Sequence, residues 1–81
     1  MQDIANQVVT FIQRQLLLDS RIEVARVPSF LEAGVLDSTG VLELVQHLED
    51  TYGIVVRDDE MVPDNLDSLD KVVRFVQRKT A

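Results

Sequence analysis

Apolar positions along the chain recur at helical spacing in three stretches, and one long connection between the first two is itself apolar. Ile4, Val8, Phe11, Ile12 and Leu16 follow three- and four-residue steps, with Gln7, Gln13, Arg14 and Gln15 largely on other faces, so residues 3–18 are predicted as an amphipathic helix. Asp19-Ser20 opens a connection of eighteen or so residues, punctuated by Pro28 and Gly34. Such a length is uncommon in a small domain and marks functional loops. Val27, Phe30, Leu31, Val35 and Leu36 are expected to pack it across the helix ends.

The second helix is predicted over residues 38–52. Val41, Leu44, Val45, Leu48 and Tyr52 form its buried stripe, Thr39, Glu43, Gln46 and Asp50 lie opposite, and Gly53 is placed to be its left-handed C-terminal cap. "IVVRDDE" begins extended, with a short helical turn expected over Arg57–Met61 before Pro63. The last helix is expected from about Ser68 to Lys79, with Leu69, Val72, Val73 and Val76 inward and Lys71, Arg74 and Arg78 outward. The expected architecture is all-α: a bundle of three main helices plus one short helix, with the longest loop between helices 1 and 2. Residues 1–81 read as a single domain.

Charge narrows the function. Fourteen acidic residues against eight basic ones give a net charge of −6, which argues against nucleic acid and anionic membrane surfaces and favours basic protein partners. With no cysteine, thiolate metal sites and cysteine nucleophiles drop out. No signal peptide is visible at Met1-Gln2-Asp3 and no apolar run spans a bilayer, so the expectation is a cytoplasmic protein that does not insert in membranes. His47 is the single histidine, and it reads as a surface or half-buried side chain. Catalysis is not expected.

Two Asp-Ser pairs remain. Asp67-Ser68 reads as a helix start, with Asp67 accepting a backbone N–H and Asp70 completing a near capping box. That role accounts for the pair, and the helix behind it is net basic. Asp37-Ser38 also starts a helix, but Gly40 stands where a capping box would place its partner. Residues 38–52 carry Glu43, Glu49 and Asp50 with no Lys or Arg, and the apolar "FLEAGVL" leads straight into the serine.

On these residues, "FLEAGVLDSTGVLELVQHLEDTYGIVV" resembles the acyl carrier protein family, and "DDEMVPDNLDSLDKVVRFV" looks like that family's third and fourth helices. The resemblance covers nearly the whole chain and fits a free-standing carrier acting as a monomer. It implies that Ser38 carries 4′-phosphopantetheine, transferred covalently from coenzyme A, and that Asp37 is recognised by the phosphopantetheinyl transferase. It further implies that Thr39, Glu43, Gln46, Glu49 and Asp50 face partners with basic docking patches: loading ligases, acyltransferases or synthases that exchange acyl or aminoacyl thioesters. Thr39 and Gly40 depart from fatty-acid carriers, where Leu and an acidic residue are usual. Asp-Ser-x-Gly is closer to specialised carriers, including D-alanyl carriers loaded by adenylating ligases. Two other readings compete: an unmodified acidic helical adaptor for a basic partner, and a calcium site at Asp58-Asp59-Glu60 with Asp64 and Asp67, whose spacing lacks the usual loop.

Overall fold

Asp3 starts the first helix by accepting the Asn6 backbone N–H at 3.1 Å, and α1 spans Ile4–Phe11. The chain continues as a wider π-type turn over Ile12–Leu16. The structure, a computed structural model, describes residues 3–16 and 23–81, with the side chains of residues 15 and 16 excepted. The Leu16 side chain, the expected helix end at residue 18 and Asp19-Ser20 lie outside the described residues. A single 3₁₀ turn, Val24–Arg26, follows and buries Val24.

α2 spans Ser38–Tyr52 and buries Gly40, Leu44, Val45 and Leu48, with Val41 and Tyr52 half-buried. It ends where its sequence says it should: Gly53 takes φ 66° and returns its N–H to the Glu49 carbonyl. The Tyr52 hydroxyl donates to the side-chain oxygen of Gln7, tying the end of α2 to α1. Gln7 therefore serves the bundle rather than an outer face.

The extended segment after Gly53 buries Ile54 and Val56, then makes a 3₁₀ turn at Asp58–Glu60. This is the short helical turn expected over Arg57–Met61, and it lies before Pro63 as expected. Pro63 in turn opens a further short helix that was not expected, α3, spanning Pro63–Leu66. A proline fits that first position because its missing N–H would have no partner there and its φ is already helical. α4 spans Leu69–Thr80 and packs on both α1 and α3. Its inward face includes Phe75, only 1% exposed, whereas Val73 is half-buried. The outer Arg78 guanidinium lies 5.8 Å from the Phe75 ring and donates to Asn65 of α3 at 2.8 Å.

Among the described residues there are no strands, and one core joins all four helices. The long connection contributes Phe30, fully buried, together with Val35 and Leu36. Leu31 departs from its expected packing role and is 46% exposed. The segment is no loose loop. The Phe30 carbonyl accepts the N–H groups of Val35 at 2.9 Å and Leu36 at 3.2 Å, folding residues 30–36 into a turn that delivers the chain to α2.

Candidate functional site

Asp37 is the N-cap of α2. Its Oδ1 accepts the Gly40 N–H at 2.7 Å and its carbonyl accepts the Val41 N–H at 2.9 Å. Ser38 is thereby the first residue of the helix, exposed, and its hydroxyl makes no hydrogen bond among the described residues. The N–H groups of Ser38 and Thr39 belong to the turn that has no acceptor inside the helix. An exposed hydroxyl therefore stands beside two N–H donors at the positive end of a fifteen-residue helix.

Gly40 is explained locally. It is buried, and a Cβ there would sit 3.3 Å from both Asp37 Oδ1 and Leu36 Cδ2. The missing side chain lets the cap and the buried Leu36 close over the helix start. The glycine is thus a packing requirement of the entry into α2.

Beside Ser38 lies a groove of about 340 Å³, walled by Leu31 and Leu36 of the connection, Val41 and Leu42 of α2, and Met61, Val62, Pro63 and Leu66, with Asp67 at its edge. Three of its walls are exposed large apolar residues: Leu42 at 59%, Leu31 at 46% and Val62 at 39%. Sequence reasoning passed over Leu42. The available signal was an apolar residue standing off the buried stripe on the polar side of helix 2.

The α2 residues expected to face partners separate into two kinds. Thr39, Glu43, Gln46 and Asp50 are exposed, and the Gln46 amide donates to Asp50 at 3.0 Å along the helix. Glu49 is half-buried, and its Oε2 accepts the Val56 N–H at 2.9 Å, which fastens the extended segment to α2. That carboxylate is committed to the fold.

A larger depression, about 620 Å³, lies between α1 and the far half of α2 and includes Phe11, His47 and Thr51 but not Ser38. Here the His47 ring stacks on Phe11 with centroids 4.1 Å apart, Nδ1 lies 3.3 Å from Thr51 Oγ1, and Nε2 is buried with no partner among the described residues. Desolvation holds the imidazole pKa below its ordinary value, opposed by the negative charge of Asp50. A ring seated in this way is a packing element between two helices.

The pair Asp67-Ser68 reverses the arrangement of Asp37-Ser38. Ser68 is the N-cap of α4 and its Oγ accepts the Lys71 N–H at 3.2 Å. Asp67 is not the N-cap of α4, and Asp70 completes no capping box. Asp67 is instead the C-terminal cap residue of α3, with its carboxylate turned to the long connection. The carboxylates of the calcium reading do not converge either. Glu60 is paired with Lys79 at 2.9 Å, Asp59 with Arg57 at 3.2 Å, and Asp67 with the connection.

The chain matches no protein-family model. It is 41% identical over 46 residues to D-alanyl carrier proteins of Streptococcus pyogenes, among them those of serotype M5 (strain Manfredo), serotype M49 (strain NZ131) and serotype M1. The chain is similar to carrier proteins. The similarity covers 57% of this chain and 58% of each relative, so it spans somewhat more than half of their length. The names of these relatives are those of carriers rather than catalysts. Both they and the helical bundle agree with the acyl-carrier-type resemblance read from the residues around Ser38.

Proposed function

We propose that the chain is a carrier protein whose Ser38 takes a 4′-phosphopantetheine arm from coenzyme A, installed by a phosphopantetheinyl transferase, and that it presents aminoacyl or acyl groups to partner enzymes. The observation that carries this reading is the Ser38 hydroxyl, exposed and without a hydrogen bond among the described residues, at the first turn of α2 beside an apolar groove. The residues fit the group. The N–H groups of Ser38 and Thr39 and the helix dipole favour a phosphodiester there by about 0.3–1 kcal/mol. Asp37 keeps its Oδ1 on the Gly40 N–H, so the cap holds the serine in place while the exposed aspartate remains accessible to the transferase. When bound, the arm supplies a terminal thiol that holds the cargo as a thioester, a sulfur function this cysteine-free chain lacks.

The rest of the work belongs to the surface. Glu43 and Asp50, exposed and of one sign, suit enzymes with basic docking patches, and Leu42 between them and Ser38 gives such partners an apolar anchor. Exposed pairs of this kind are worth roughly 0–1 kcal/mol each and are screened by salt, which suits brief encounters. The D-alanyl carriers among the relatives and the Asp37-Ser38-Thr39-Gly40 sequence favour an aminoacyl cargo loaded by an adenylating ligase over a growing fatty-acyl chain. The reading assigns the protein to the cytoplasm as a monomer.

Intact-mass analysis after incubation with coenzyme A and a broad-specificity transferase tests it. The expected result is one arm on the native chain and none on Ser38→Ala. A native chain that never gains mass, or a Ser38→Ala chain that does, overturns the proposal.

A further inference from the structure

The carboxylate of Asp67 is spent far from its own helix. Oδ2 accepts the Ser29 hydroxyl, Oδ1 accepts the Leu31 N–H at 2.9 Å, and the Asp67 carbonyl accepts the Phe30 N–H at 2.7 Å. Three consecutive residues of the connection are thus gripped by one residue at the α3–α4 junction. The Ser29 Oγ in turn accepts the Glu32 N–H at 3.2 Å, and the Phe30 carbonyl holds Val35 and Leu36. Leu36 then packs against the Gly40 turn that Asp37 caps. The path from Asp67 to Ser38 is continuous, from hydrogen bond to buried side chain to helix cap. The same residue also stands at the edge of the groove that Ser38 borders.

From this geometry we infer that Asp67 is a positioning residue for Ser38: it fixes the turn over residues 29–36, and so sets where the serine hydroxyl is held and how wide the adjacent groove stands. The inference rests on the reading of Ser38 as the attachment site. It adds that the junction between the last two helices, 29 residues downstream, controls how readily that site is modified. An asparagine at 67 preserves the arrangement, since its oxygen still accepts the Leu31 N–H and its amide donates to a Ser29 hydroxyl that has a lone pair to offer. An alanine removes both side-chain contacts.

The test compares the native protein with Asp67→Ala, Asp67→Asn and Ser29→Ala. Helix content by circular dichroism, amide exchange at Leu31, Val35 and Leu36, and transfer from coenzyme A with kcat and KM separated are measured on each. Asp67→Ala is expected to keep its helices, exchange those amides faster and lose about tenfold in kcat/KM for transfer, as small misplacements of a reacting group do. Asp67→Asn is expected to restore both readouts, which a role for the negative charge of the residue would not predict. Where Asp67→Ala fails to fold, Ser29→Ala, which removes one of the two contacts to the Asp67 carboxylate together with the acceptor of the Glu32 N–H, decides the matter in the same assays. Folded variants with unchanged exchange and unchanged transfer overturn the inference. A native chain that accepts no arm sinks the reading of Ser38 instead, and the exchange measurements then still decide whether Asp67 holds the turn.

Discussion

Two Asp-Ser pairs of this protein, Asp37-Ser38 and Asp67-Ser68, are used in opposite ways, because the helix starts one residue later in the second case. At Asp37-Ser38 the aspartate is the cap and the serine is the first helical residue, with its hydroxyl exposed. At Asp67-Ser68 the serine is the cap and the aspartate is released for other work. The shift has a local cause. An N-cap needs extended backbone, which Asp37 has, at φ −111° and ψ −172°, because a turn delivers it from outside any helix. Asp67 closes α3 with φ −88° and ψ 1°, donating its N–H to the Pro63 carbonyl, so the extended conformation falls to Ser68. An exposed hydroxyl in one place and a carboxylate turned to the long connection in the other both follow from what precedes the pair.

The largest expected effect is the all-or-none contrast between the serines. Ser38→Ala is expected to abolish acquisition of the arm, whereas Ser68→Ala is expected to gain it like the native chain, both by intact mass. Next comes the ring that braces the approach to Ser38. Phe30 is fully buried, and its carbonyl organises the turn. Phe30→Ala should cost about 3–5 kcal/mol by denaturant unfolding, the range for removing a core aromatic. A loss near zero would mean that the turn is held without its plug.

The start and stop of α2 and its buried stripe were legible in the sequence because helical periodicity and a terminal glycine are local signals. So was the place of Ser38 at the start of α2, through the Asp37 cap before it. Three features were not. Pro63 reads equally as a stop or as a first helical residue, and only the packing of Leu66 decides for the start. The employment of Asp67 depends on Ser29 and Leu31, 38 and 36 residues away, and no local spacing encodes such a contact. Glu49 looks like any residue of an acidic face until the chain folds back and offers it the Val56 N–H.

The caps themselves supply a finer test. Replacing Asp37 or Ser68 with alanine should each cost about 0.5–2 kcal/mol. Asp37→Asn separates capping from recognition, since asparagine caps about as well as aspartate but carries no charge. Its unfolding midpoint is expected to stay near the native one while transfer from coenzyme A slows. If transfer is unchanged, the carboxylate serves the helix alone. Gly40→Ala should bring none of the roughly 1 kcal/mol that alanine ordinarily gives over glycine in a helix, because the added carbon crowds Leu36 and the capping oxygen. A raised midpoint would show that the cap can yield.

The smallest effect asks whether the contrast between the pairs is confined to helix starts, and it lies at the far half of α2. His47 is stacked on Phe11 of α1, beside Thr51 and near Asp50, in a depression that Asp3 and Arg14 also border. Its folded pKa lies below the ordinary 6.5, since burial disfavours the imidazolium more than Asp50 favours it. Between that lowered value and 6.5 the unfolded chain binds a proton that the folded chain does not. Stability contributed by the neutral ring is therefore fully present above 6.5 and is lost as pH falls through this window. His47→Gln should narrow the difference in unfolding midpoint between about pH 8 and about pH 5 relative to the native protein. Amide exchange at Gly40, protected by the Asp37 cap, should not follow the histidine, because the two ends of α2 are held by different partners. Parallel loosening at both ends would mean that the seat of His47 and the cap at Ser38 respond as one unit.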